Sequence, residues 1–71
     1  MTRSEKINLV LSVLSKTEWM KYHQIRNAVG KSITIGEISL IINDKIRDKV
    51  ELDTVFYGEK DWECYTRIKL K

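Results

Sequence analysis

The first fifty residues carry apolar side chains at helical spacing in three separate stretches. The first stretch repeats them at i, i+3, i+4 and i+7, at Ile7, Val10, Leu11 and Leu14. It predicts a helix that begins near Ser4 and ends at about Ser15. Thr2 and Glu5 precede the apolar run with the spacing of a capping box, in which each residue binds the backbone N–H of the other.

The second stretch is barely two turns long. It predicts a helix from about Tyr22 to Val29, with Ile25, Ala28 and Val29 on the buried side. Gly30 follows at the position where a helix commonly ends in a residue with positive φ, which glycine adopts without steric strain.

The third stretch predicts the longest helix. It begins after Ser32 or Thr34, either of which is a suitable N-cap, and ends at about Lys49. Its buried face is expected to hold a stripe of isoleucines, formed by Ile35, Ile38, Ile42 and Ile46. Ile41 lies on the flank of this stripe. The opposite face contains Gly36, Leu40, Asn43 and Arg47.

After Val50 the apolar period changes from 3.6 to 2, which predicts two strands joined by a hairpin loop at residues 58–61. The expected fold is α+β, three helices followed by an antiparallel β-hairpin, with one core formed by Ile7, Leu11, Leu14, Ile25, Val29, Ile38, Ile42, Ile46 and Ile68. Trp19, Phe56 and Trp62 are expected to pack the hairpin against the helices. Cys64 falls in the inward register of the last strand, where an inert core thiol is expected.

Length and composition restrict the function classes. The chain has 71 residues, which is enough for a single domain over residues 1–71. One cysteine and one histidine provide neither a disulfide nor a zinc site, and they leave no nucleophile and base to pair, so we expect a non-enzyme without a cofactor or metal. The apolar runs are too short to span a bilayer and no signal peptide is recognisable, so we expect a cytoplasmic protein without a membrane partner.

Charge is segregated along the chain, although the net value is only +3. Residues 19–36 contain three cations, one histidine and no acid. Residues 51–63 contain five acids and one cation, Lys60. The first segment favours an anionic partner, and the second would be repelled by one.

The order of elements and two segments of sequence resemble the winged helix-turn-helix family. Residues 14–30, LSKTEWMKYHQIRNAVG, are similar to the family's end of helix one, short β connection, helix two and turn glycine. The later positions Ile42, Ile46, Val50 and Leu52 are similar to the end of its recognition helix and the start of its wing. Among small members, the layout most resembles bacterial, plasmid or phage transcriptional regulators.

The resemblance implies binding of double-stranded DNA with helix three in the major groove. Asn43 has the chemistry to bind adenine, Arg47 to bind guanine and Leu40 to contact a thymine methyl group. Phosphate contacts are expected from helix two, the turn and helix three, at Lys21, Tyr22, His23, Arg26, Lys31, Ser32, Thr34 and Ser39. Glu37 and Asp44 oppose a polyanion on the same helix.

Two other interpretations of these residues stay open. Asn43 and Arg47 are also compatible with an ordinary solvated helix face. The acidic hairpin or the Leu40 face could instead dock a protein, which would make the chain an interaction adaptor. Leu9, Val13 and Leu40 are apolar outer positions and therefore candidates for a homodimer interface.

Overall fold

A computed structural model describes all residues, 1–71, as an α+β fold with three helices and a three-stranded antiparallel sheet. The helices are α1 (Arg3–Val13), α2 (Tyr22–Ala28) and α3 (Ile35–Leu40); the strands are β1 (Met20–Lys21), β2 (Val50–Phe56) and β3 (Cys64–Leu70). Because β3 lies between β1 and β2, it is the central strand although it comes last in the chain. The predicted α+β class, the three helices and the antiparallel hairpin of β2 and β3 are confirmed, but the sheet has a third strand, β1, between α1 and α2.

The helix starts follow the predicted caps. Thr2 Oγ1 accepts a hydrogen bond from the Glu5 N–H at 3.2 Å, and Glu5 Oε1 accepts one from the Thr2 N–H at 3.3 Å. Thr34 Oγ1 accepts a bond from the Glu37 N–H at 3.1 Å and starts α3 in the same way. Each bond satisfies a backbone donor that has no partner within its helix.

The turn after α2 contains two consecutive residues in the left-handed region, Gly30 at φ 75° and Lys31 at φ 62°. The role predicted for Gly30 is therefore confirmed. A lysine at positive φ is uncommon, because its Cβ crowds the backbone there. The Lys31 N–H donates to the Arg26 carbonyl at 2.9 Å, which holds the end of the turn against α2.

The core is made of eleven buried aliphatic residues, and it contains seven of the nine predicted ones. Ile7 and Leu11 were predicted in its centre but are only partly buried, since α1 is rotated to place Val10 innermost, with no exposed surface. The same rotation packs Leu9 and Val13 against the core, so they are not the outer positions that the sequence predicts. The buried residues absent from the prediction are Val10, Ile33, Ile41 and Val50.

The third helix does not continue as an α-helix to Lys49, as predicted. It becomes a π-helical turn at Ile41–Lys45, leaves helical geometry at Ile46, and ends in a 3-10 turn at Arg47–Lys49. In an α-helix, Ile41 and Ile46 would lie about 140° apart around the axis. The wider turn, closed by the bond from the Ile46 N–H to the Ile41 carbonyl at 3.1 Å, brings both side chains into the core. Ile35 lies at the opposite end of the stripe and is exposed, as is Ala28 of α2.

The hairpin extends beyond the core. The pair Leu52 and Ile68 packs on it, but the next inward pairs, Thr54 with Thr66 and Phe56 with Cys64, contain no buried residue. Phe56 is 62% exposed and Trp62 72%, so the prediction that they pack against the helices is wrong. Cys64 is likewise only partly buried, and its thiol donates to the Asp61 carbonyl at 3.3 Å.

Trp19 is also outside the core and lies on the other face of the sheet. Its ring is 4.3 Å from the Arg67 guanidinium and 4.6 Å from Lys69 Nζ. Arg67 is in turn paired with Asp53 on the neighbouring strand. Trp19 therefore holds the segment before β1 against the sheet through cation–π contacts, which the hydrophobic pattern does not reveal.

Candidate nucleic-acid interface

Three cations of the acid-free segment have no carboxylate partner in the chain. Lys21, Arg26 and Lys31 make no salt bridge, whereas three other cations form the ion pairs Lys6–Glu37, Arg67–Asp53 and Lys69–Glu51. Unpaired cations keep their field available to an external anion. This segment therefore presents positive charge that no acid of its own offsets.

Arg26 and Lys31 lie together in a surface depression of about 390 Å³, named here the basic depression, whose lining residues are Arg26, Lys31, Ile33, Thr34 and Ile35. It lies between α2 and the start of α3. Arg26 Nε is buried and has no hydrogen-bond partner. A buried donor without an acceptor is unfavourable, so this position lowers the stability of the fold.

The remaining predicted phosphate contacts on β1 and α2 are not among the residues that line this depression. Lys21 Nζ lies 4.2 Å from the centre of the Tyr65 ring, over the sheet. Tyr22 is partly buried against the core. His23 is exposed on α2 and is free to meet a ligand.

The three predicted hydroxyl groups already take part in local hydrogen bonds. Ser32 Oγ donates to the Val29 carbonyl at 2.9 Å, and Thr34 Oγ1 caps α3. Ser39 Oγ only accepts, from Asn43 Nδ2 at 3.3 Å. Since a hydroxyl has one proton to donate, Ser39 is the member that can bind a phosphate without giving up the bond it has.

The predicted base-reading residues do not lie on one α-helical face. Leu40, 63% exposed, is the last residue of α3, Asn43 is in the π turn, and Arg47 is in the separate 3-10 turn. Asn43 Nδ2 donates to the Ser39 carbonyl at 2.8 Å, and Arg47 Nη1 to the Val50 carbonyl at 3.4 Å. Both side chains therefore have structural bonds, contrary to the expectation of free polar groups.

Leu40 borders a second groove, of about 450 Å³, between α1 and the third helix. Lys6 crosses it to bind Glu37. The hydrogen bond from Lys6 lowers the pKa of Glu37 below its ordinary value, and a further bond from Thr34 acts in the same direction. Of the two acids on this helix that would repel a polyanion, Glu37 is therefore paired with a cation and Asp44 is not.

The acids of the hairpin divide into paired and unpaired groups. Glu51 pairs with Lys69 at 3.6 Å and Asp53 with Arg67 at 2.7 Å, both directly across β2 and β3. Glu59, Asp61 and Glu63 have no ion partner. Within the hairpin, all acids without an ion partner therefore lie in residues 56–63, a segment named here the hairpin tip.

Sequence reasoning missed two residues that shape the electrostatics. Lys6 was assigned no role, because a partner thirty-one positions away on another helix leaves no local signal. Tyr65, on the last strand, was likewise given no role, yet its ring contacts Lys21 Nζ. The alternation along β3 does place Tyr65, Arg67 and Lys69 on one face, so their shared surface was predictable although their partners were not.

Comparison of the chain with protein-family models, with curated proteins and with solved structures gave no match. No three His, Cys, Asp or Glu side chains converge as metal ligands. None of the helices combines the length and the apolar character that crossing a membrane requires.

Proposed function

We propose that the chain is a small winged helix-turn-helix domain that binds double-stranded DNA as a transcriptional regulator. The observation that carries the proposal is the pair Arg26 and Lys31, which line one depression beside the start of α3 without any carboxylate partner. Two unpaired cations beside a helix that follows a tight turn are well placed to bind the phosphates of a duplex.

The third helix would then face the major groove. Its first turn follows the basic depression directly, so phosphate contacts at Arg26 and Lys31 would bring Leu40 and Asn43 towards the bases. The pairing of Glu37 with Lys6 supports this orientation, because it removes one unpaired negative charge from the helix. Arg47, in the 3-10 turn, would read a base only if it exchanges its long bond to the Val50 carbonyl for one to DNA.

Fluorescence anisotropy with a random labelled duplex at two salt concentrations tests the phosphate contacts. A protein that neutralises phosphates loses affinity steeply with salt, with a slope near 0.9 per contact. Arg26→Ala and Lys31→Ala should each lower that slope by about one on every sequence. Lys16→Ala, which removes an exposed cation that lines neither the basic depression nor the groove beside Leu40, is the matched control and should leave the slope unchanged. Absence of binding by the wild type at low salt would refute the proposal.

Selection of preferred sites from a random duplex library tests base reading. Arg47→Ala should lose about 1–3 kcal/mol on the selected site and much less on random DNA. Asn43→Ala should change the preference at a different base pair. Identical preferences in wild type and variants would show that the third helix attracts DNA without reading it.

A second candidate function, a protein-interaction adaptor, is favoured by the composition of the hairpin tip. Phe56, Tyr57 and Trp62 are all more than 60% exposed there, next to acids without ion partners. Such a surface would be repelled by DNA and is typical of protein docking. The same anisotropy experiment separates the two functions, since an adaptor would show no salt-dependent binding of the duplex.

A further inference from the structure

The hairpin tip has an apolar surface that the rest of the chain leaves uncovered. Phe56, Tyr57 and Trp62 are 62%, 67% and 72% exposed, within eight residues of one another. Lys60 Nζ lies 5.1 Å from the Trp62 ring and covers part of it, while Glu59 and Asp61 beside it carry unpaired charge. Exposed aromatic side chains flanked by unpaired acids favour a partner that offers apolar surface and positive charge.

The basic depression has that complementary composition. Ile35, which is 38% exposed, supplies accessible apolar surface beside it, and Arg26 and Lys31 supply unpaired positive charge. The depression is shallow and open to solvent, so it can receive a side chain that lies against it without enclosing that side chain. A carboxylate entering with an aromatic ring would meet the positive charge of Arg26 and Lys31.

We propose that the hairpin tip of one copy docks in the basic depression of a second copy, with Trp62 as the anchor. Applied twice about a two-fold axis, the contact closes an antiparallel dimer in which each copy contributes one tip and one depression. The three aromatic side chains present about 400 Å² at each tip. The depression is much smaller than this aromatic surface, so the contact is a small one centred on Trp62 and should form only at high protein concentration.

This dimer does not depend on DNA binding, since both surfaces are described without DNA. It would, however, occupy the same depression that the proposed function assigns to phosphates. A dimer could then not bind DNA through this depression. A higher protein concentration would therefore lower the fraction of the protein that is able to bind DNA.

Sedimentation equilibrium without DNA, from micromolar to millimolar protein, tests the contact. The wild type should approach twice the monomer mass, and Trp62→Ala should remain monomeric with an unchanged thermal midpoint because the residue packs on nothing buried. Two charge-reversed variants are then compared: a tip variant, Glu59→Lys with Asp61→Lys, and a depression variant, Arg26→Glu with Lys31→Glu. Each alone opposes like charges, which should weaken the dimer about a hundredfold or more.

An equimolar mixture of the two reversed variants should restore a dimer with one copy of each, because both of its contacts again join opposite charges. If the double change at the depression prevents folding, the exposed Lys31→Glu alone replaces it. Glu18→Lys, an exposed reversal outside both surfaces, is the control and should dimerise like the wild type. The proposal is overturned if the wild type stays monomeric, if neither reversal weakens its dimer, or if the mixture does not associate.

Discussion

Replacement of Ile42 by alanine should remove a large share of the protein's stability. Ile42 has no exposed surface and lies in the π turn of the third helix. Ile41 and Ile46 are buried in the same segment, and Ile38 is buried one turn earlier. The same core also contains residues of α1, α2, β2 and β3, so we expect the surroundings to collapse only partly around a shortened side chain.

The magnitude follows from the atoms removed. Isoleucine to alanine deletes three carbons, and their transfer from the core to water corresponds to about 2.4 kcal/mol. The cavity left behind adds to this, which gives a total loss of about 2–5 kcal/mol. A domain of 71 residues has a free energy of unfolding of about 4–10 kcal/mol, so the variant should retain roughly half of it.

Urea unfolding followed by circular dichroism measures the effect. The midpoint of Ile42→Ala should fall without a change in the denaturant slope, because the surface exposed on unfolding is nearly the same. Leu40→Ala is the control on the same helix; Leu40 is 63% exposed, so its loss should stay below about 1 kcal/mol. A loss below about 1 kcal/mol for Ile42→Ala as well would refute the packing described for the third helix.

Two further changes test local interactions. Thr34→Ala should lower the free energy of unfolding by about 1 kcal/mol in a chemical melt, because it removes the cap of α3. Thr34→Ser should recover most of this loss. An alanine variant as stable as the wild type would refute the cap. Glu37 has a lowered pKa in the folded protein, so its pair with Lys6 should stabilise the fold above pH 4.5 and lose that effect as the pH falls through the lowered value. Melts across this range should show a stability difference between wild type and Glu37→Gln that shrinks towards acid, and a difference independent of pH would contradict the pair.

Features set by neighbouring residues were predictable from the sequence. Each of these features depends on groups within three or four positions along the chain, as at the caps Thr2 and Thr34 and the turn at Gly30. The local sequence is therefore enough to predict them. The pairing of β2 with β3 was predictable for the same reason, because a short loop joins two alternating runs.

Features set by distant parts of the chain were not predictable. The helical period of isoleucines gives no sign that the third helix widens at Ile41–Lys45, since the cause is the shape of the core that it must fill. The exposure of Phe56 and Trp62 depends on where the helices stop supporting the sheet, which alternation does not encode. For the candidate site, the acid-free segment was visible in the sequence, but the grouping of Arg26 with Lys31 apart from Lys21 required the fold.

The order of strands in the sheet has a consequence for how quickly the protein folds. The first and last strands in the chain are hydrogen-bonded neighbours, with Met20 opposite Ile68, and the Leu70 N–H also donates to the Ser15 carbonyl at 2.8 Å. Forming these bonds requires the closure of a loop that contains most of the chain, an entropic cost that arises before the contacts stabilise anything. We therefore expect folding slower than that of a three-helix bundle of equal length, with β1 docking as a late step, because contacts between distant segments slow folding more than size does.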